Sequence, residues 1–394
     1  MRFSVFPIAV FFFLASCTKA TKLETNDHNR LEDGNEDIVL NSHCPPGFEL
    51  NEKNECINRN LYQMYNSSND KGVGGLQTGL PKNRDGFSPQ QIDLGRYLFF
   101  DPALSIDGTV SCASCHHPDK GFSDGLGLSR GVKGGVVPRS APSIWNVAFM
   151  DKFFWDARAK TLEEQMKGPL YSDIEMGNNP ENLLKTLNAI QKYRELFAIA
   201  FTKKESSDIS LGEIYTALTA FECSLISLNS RYDQYAHGYH EALNAKEIEG
   251  LNVFRSFVAR CAECHTPPLF TNQQLAVIGT PEPKGLPFDK GAAIPFKDST
   301  LTGSFKIPSL RNIALTAPYE HSGVFDNLFD ATKFYTLGRG HAVPDSLNLI
   351  LHWHIWKPDL SDTEVERIVD FLHTLTDESF KPQIPKKVPS GLTI

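Results

Sequence analysis

The pattern C-x-x-C-H occurs twice, as Cys112-Ala-Ser-Cys115-His116 and as Cys261-Ala-Glu-Cys264-His265. Two thiols three apart on one turn of helix can each add to a haem vinyl group. The adjacent imidazole is then held under the iron as its proximal ligand. Covalent anchoring lets a small helical domain keep its cofactor without fully enclosing it, so the motif favours short helices joined by irregular loops. A thioredoxin-like redox pair needs no histidine after its second cysteine, and zinc sites built from two C-x-x-C pairs usually bring them closer in sequence. The spacing therefore predicts two covalently bound c-type haems, carried by Cys112, Cys115 and His116 and by Cys261, Cys264 and His265.

The N-terminus reads as an export signal. Met1-Arg2 is followed by an apolar run from Phe3 to Leu14 and by Ala15-Ser16-Cys17, a greasy stretch too short to span a bilayer. Leu14-Ala-Ser-Cys17 resembles a bacterial lipobox, which predicts a signal peptide over 1–16 and a lipid anchor at Cys17. The expected location is the periplasm or cell envelope, where thioether attachment and lasting disulfides both belong. Residues 17–80 read as a polar tether carrying a small segment closed by a Cys44–Cys56 disulfide. Cys223 is left over and reads as an inert buried thiol. With 394 residues, 41% apolar and 22% charged, the chain has an ordinary globular composition, and its net charge of −8 argues against nucleic acid as a partner.

Helical periodicity recurs along the chain. Ser88-Pro-Gln-Gln91 is a capped helix start, and that helix should stop before Asp101-Pro102. Apolar spacing predicts further helices over 180–190, over 212–228, over 246–258 with Phe257 facing inward, and after Ser361. Residues 276–323 are punctuated by Pro and Gly and read as loop with short strands. No strict short-period repeat is visible, although one motif occurs twice. The expected architecture is mainly α.

Sixth-ligand candidates differ between the motifs. The five methionines are Met1, Met64, Met150, Met166 and Met176, so none follows the second motif; beyond it stand His321, His341, His352, His354 and His373, with Tyr319 and Tyr335 as oxygen donors. No histidine lies between His117 and His237. The first iron therefore either takes one of Met150, Met166 and Met176 or is open toward a small ligand.

Eight segments, in order, resemble those of the bacterial dihaem cytochrome c peroxidase family over roughly residues 84–380. They are Leu94–Pro102, Cys112–His116, Arg139-Ser-Ala-Pro-Ser-Ile-Trp-Asn146, Phe154-Trp-Asp-Ala-Arg158, Glu163–Pro169, Ile174-Glu-Met176, Pro308-Ser-Leu-Arg-Asn312 and Thr316-Ala-Pro-Tyr-Glu-His-Ser-Gly323. The resemblance implies two cytochrome c-like domains packed face to face behind a lipoprotein tether, over 81–240 and 241–385. It implies that the N-terminal haem is the peroxide site and that the C-terminal haem feeds it electrons from a c-type cytochrome or cupredoxin. Gln165 and Glu175 fall on the family's distal glutamine and glutamate, and Trp155 on its tryptophan between the haems. A Ca²⁺ would be held by the Asn146 side chain and the carbonyls of Thr316 and Pro318, hard oxygen donors that suit this ion. A homodimer is also implied.

Two departures stand out. The family's loop histidine has no counterpart in 125–138, which implies a resting site already open. The family's methionine position falls on Tyr335, as in the MauG-like subgroup, and an anionic oxygen donor stabilises ferric iron relative to methionine. The expected function is reduction of hydrogen peroxide to water; the alternatives are an oxidase acting on a protein or organic substrate, and a non-enzymatic dihaem electron carrier.

Overall fold

Six helices of ten to fourteen residues carry the architecture in the computed structural model, which describes residues 38–59, 79–204, 206–338, 347 and 349–394. The lipobox, Cys17, most of the tether and His341 lie outside the described residues. Helix α1 (Pro89–Phe100) starts on a capping box in which Ser88 and Gln91 exchange side-chain and main-chain hydrogen bonds, and it ends at Asp101. Next come α2 (Pro180–Ala189), α3 (Gln191–Ala200), α4 (Leu211–Ser224), α5 (Ala245–Phe254) and α6 (Asp362–His373). Strands are short: β1 (Phe48–Leu50) pairs antiparallel with β2 (Cys56–Asn58), and β3 (Leu275–Val277) with β4 (Ser304–Lys306). The Cys44–Cys56 disulfide closes the first hairpin, and Cys56 packs against Ile92 and Ala220. Among the described residues no helix is long and apolar enough to cross a membrane.

Residues 38–394 form one unit with two principal apolar cores. The first gathers Leu94, Leu98, Phe99, Leu218 and Phe221 where α1 crosses α4; the second gathers Leu251, Phe254, Ile368, Phe371 and Leu372 where α5 crosses α6. A glycine lies against the partner helix at each crossing. A methyl group on Gly95 would sit 1.9 Å from the Ala217 carbonyl oxygen, and one on Gly250 would sit 1.8 Å from that of Arg367. Tyr232 and Ala236, expected in the first domain, pack in the second core.

Two helix ends fall short of the periodicity, each for a local reason. Helix α4 stops at Ser224 rather than 228, because Leu225 and Ser227 turn away to pair with Asn146: Asn146 N–H donates to Leu225 O, and the Asn146 amide bonds both main-chain groups of Ser227. Helix α5 stops at Phe254, and the chain then coils to present Cys261, with Arg260 at φ 55°. Phe257, expected to face inward, is 76% exposed, with the Arg260 guanidinium 3.9 Å from its ring centre.

The two halves repeat one another well beyond the C-x-x-C-H motif. Pro142-Ser-Ile-Trp-Asn-Val-Ala-Phe149 matches Pro308-Ser-Leu-Arg-Asn-Ile-Ala-Leu315. Asn146 and Asn312 both hold left-handed φ values, and both precede a single 3-10 turn. Further on, the bridge Phe153–Ala159 matches Tyr319–Phe325, with positive φ at Phe154 and Ala157 in one half and at Glu320 and Gly323 in the other. This alignment places Trp155 opposite His321, with ring centres 6.4 Å apart.

Candidate active site

Each C-x-x-C-H segment forms a single helical turn, Cys112–Cys115 and Cys261–Cys264, and ends with its histidine at the floor of a cavity. The backbone fixes both imidazoles in the same way. His116 Nδ1 lies 2.9 Å from Phe122 O; His265 Nδ1 lies 3.2 Å from Phe270 O and 3.1 Å from Pro308 O. A carbonyl accepts only from N–H, so each ring carries its proton on Nδ1 and keeps a lone pair on Nε2. Burial pushes both imidazoles below their usual range, with His265 at about 4, which keeps them neutral. Cys112, Cys115, Cys261 and Cys264 are free of disulfides. A pair of thiols beside a neutral, oriented imidazole, repeated at two cavities, is the donor set that a covalently held haem requires.

The first cavity has a volume of 660 Å³ and is bordered by His116, Trp155, Gln165 and Glu175. Gln165 ends a short helix (Leu162–Gln165) that starts on the Thr161 cap. Glu175 is set by the loop before it. Val132 N–H donates to Glu175 O, and a methyl group on Gly131 would lie 2.1 Å from Ile174 O and one on Gly135 2.6 Å from it, so only glycine lets the loop pack this closely. That loop falls within 125–138, the stretch without histidine. Burial raises the Glu175 carboxyl above the ordinary range, against a hydrogen bond from Ser172 and the charge of Arg158, which pull it down. Met150, Met166 and Met176 all border this cavity, and Met166 and Met176 are buried in the first core.

The second cavity, 230 Å³, is bordered by His265 and Tyr335. The Tyr335 hydroxyl donates to Glu320 Oε1 at 3.4 Å, and burial raises both groups above their ordinary ranges. Glu320 lies within a segment that carried the resemblance but had no role there. The internal alignment, which sets it against Phe154, is the signal that would have singled it out.

Trp155 borders both cavities. Its Nε1–H donates to Ser140 O at 2.9 Å, its carbonyl accepts from Lys306 N–H, and the His321 carbonyl accepts from Ser140 N–H. His321 stacks on Phe305 and lies 2.9 Å from Glu282. Of the expected calcium donors, Thr316 and Pro318 border the second cavity, and the Asn146 side-chain amide bonds both main-chain groups of Ser227.

Residues 89–241 match the model of the di-haem cytochrome c peroxidase family. The chain is 34% identical over 302 residues to cytochrome c551 peroxidase of Pseudomonas aeruginosa, covering 76% of this chain and 82% of that one. It belongs to the di-haem cytochrome c peroxidase family. It is equally similar, at 34% over 303 residues, to the methylamine utilization protein MauG of Methylorubrum extorquens, with 76% and 82% covered. Among solved structures it resembles a MauG-like protein associated with microbial copper homeostasis, with a TM-score of 0.69, 33% identity, and 76% and 94% of the two chains covered. The diheme peroxidase BthA from Burkholderia thailandensis follows at 0.66 and 28%, with 78% and 91% covered. A member of this family carries two covalently bound c-type haems, which are the groups the two cavities fit.

Proposed function

We infer that this protein is a haem-dependent peroxidase that reduces hydrogen peroxide to water at the His116 cavity, with electrons from a small donor protein entering on the His265 side. The observation that carries this reading is the placement of Glu175 and Gln165 on the same cavity wall system as His116. Haem held there would supply the iron for peroxide and pass on the donor's two electrons, which with two protons convert one peroxide to two waters. The chain's part is to manage those protons. Glu175, held at a raised pKa by burial, can take a proton from one peroxide oxygen and deliver it to the oxygen that leaves. Gln165 offers a neutral amide to orient the peroxide.

Trp155, common to both cavities, is the relay between the two sites in this reading. Tyr335 would be the oxygen donor toward the second iron, and Glu320, which accepts its hydroxyl hydrogen bond, would take the phenolic proton. The halves act as two cytochrome c-like domains packed face to face, exported to the cell envelope and anchored through Cys17, with a homodimer as the assembly. Thr316 and Pro318 keep their carbonyls as calcium donors, while Asn146 Oδ1, which already accepts from Ser227, has one lone pair left to offer.

The test is consumption of hydrogen peroxide by the holoprotein with a reduced small c-type cytochrome. Glu175→Gln should lower turnover by about 10²–10⁴-fold, the usual worth of a positioned acid–base group. Retained turnover would overturn the assignment. Tyr335 at the second cavity favours one second reading, an oxidase acting on a protein or organic substrate. Slow cytochrome oxidation together with peroxide-dependent modification of a partner would select it. An electron paramagnetic resonance spectrum of the resting ferric protein decides against a mere electron carrier if it contains a high-spin signal.

A further inference from the structure

His352 and His354 stand two apart in the segment Leu349-Ile-Leu-His-Trp-His-Ile-Trp356, which borders the second cavity beside the Cys264 sulfur. A ring nitrogen from each histidine and the Cys264 Sγ all lie within 4.8 Å of one another. Ligands on one tetrahedral ion are about 3.5 Å apart at metal–ligand distances near 2.0–2.3 Å, so a small rotation of side chains closes the set. The segment is fixed on this spot by His352 N–H donating to Val277 O at 2.8 Å.

The surroundings of His354 point the same way. Its Nε2 lies 2.7 Å from Glu263 Oε2, and its Nδ1 lies 4.0 Å from Cys264 Sγ. A carboxylate this close to Nε2 favours the proton on that nitrogen and leaves the Nδ1 lone pair on the side of the sulfur, a carboxylate–histidine pairing that recurs at metal-ligating histidines. Once Cys264 is joined to haem it has no S–H to donate, so the Nδ1 lone pair loses that partner, while the sulfur keeps its own lone pairs as a thioether.

We propose that His352, His354 and the Cys264 thioether form a copper site at the rim of the second haem cavity, with Glu263 orienting His354. Two imidazoles with a thioether suit copper in both oxidation states. Among divalent first-row ions Cu²⁺ binds such a site most strongly, and soft sulfur favours Cu⁺.

The experiment is a titration of untagged, chelator-treated ferric holoprotein with Cu²⁺, followed by calorimetry and electron paramagnetic resonance. Expected is one saturable equivalent whose Cu²⁺ signal shows nitrogen hyperfine structure, lost in the His352→Ala/His354→Ala pair. Glu263→Gln should weaken binding by about 10–100-fold, as removal of an orienting carboxylate does. Haem content and the Soret band of each variant report folding; if the double variant loses haem, Glu263→Gln decides alone. No saturable equivalent, or an affinity unchanged in Glu263→Gln and in a haem-replete double variant, overturns the site. Peroxide is absent throughout, so the result is independent of the peroxidase reading.

Discussion

Individual carboxyl groups set the pH behaviour. Because burial raises the Glu175 carboxyl, the acid limb of the peroxidase pH profile should lie above the usual carboxylate range and vanish in Glu175→Gln. Removing the nearby positive charge with Arg158→Leu should move the limb further up. Glu222 is a second case. It borders the first cavity, and burial followed by repulsion from Glu163 raises it from 4.5 to about 8. The folded state therefore holds this proton more tightly than the unfolded chain. Its contribution to stability is complete below pH 4.5 and is lost as pH rises through about 8, with a slope of at most about 1.4 kcal/mol per pH unit. Glu222→Gln should flatten this part of the profile in thermal unfolding of the holoprotein, raising Tm at pH 8 and leaving it nearly unchanged at pH 4. An identical pH dependence in the variant would contradict the assignment.

At the scale of elements, the helix crossings carry the tightest constraint. Gly95→Ala or Gly250→Ala places a methyl group into a main-chain carbonyl, so each should cost about 1–3 kcal/mol or more and lower Tm, with the crossing forced apart. Removing one partner of the Arg311–Asp233 pair, whose side chains are fully buried at 2.6 Å, should cost about 3–5 kcal/mol, because the other charge is left buried alone. Asp233→Asn in chemical denaturation checks this. These features also explain what was legible in the sequence. Ser88 and Ser361 mark the starts of α1 and α6 as side-chain caps, and apolar spacing alone marks α2, which the structure shows capped by Asn179. Helix α3 has no side-chain cap at Ile190, and its apolar face shows only against the first core. The true end of α4 was not legible, since it depends on Asn146, far away in sequence. The two C-x-x-C-H motifs are plain from local spacing, whereas the surroundings of Glu320 and of His354 are not, because Tyr335 and Cys264 come from other segments.

Across the whole molecule, the Cys44–Cys56 disulfide ties the N-terminal hairpin to α1 and α4 through Ile92 and Ala220. Its loop of 12 residues corresponds to about 3 kcal/mol in the chain-entropy account. Replacing both cysteines by alanine should lower Tm and leave the haem spectrum intact. The internal duplication has a wider bearing. Lys306 N–H bonds the carbonyl of Trp155, and Ser140 N–H bonds that of His321, so the wall dividing the cavities is braced by main-chain groups that every residue except proline possesses. Substitution could therefore exchange the aromatic rings lodged there and, if the proposed relay holds, tune the ease of charge transfer while the scaffold kept its length fixed.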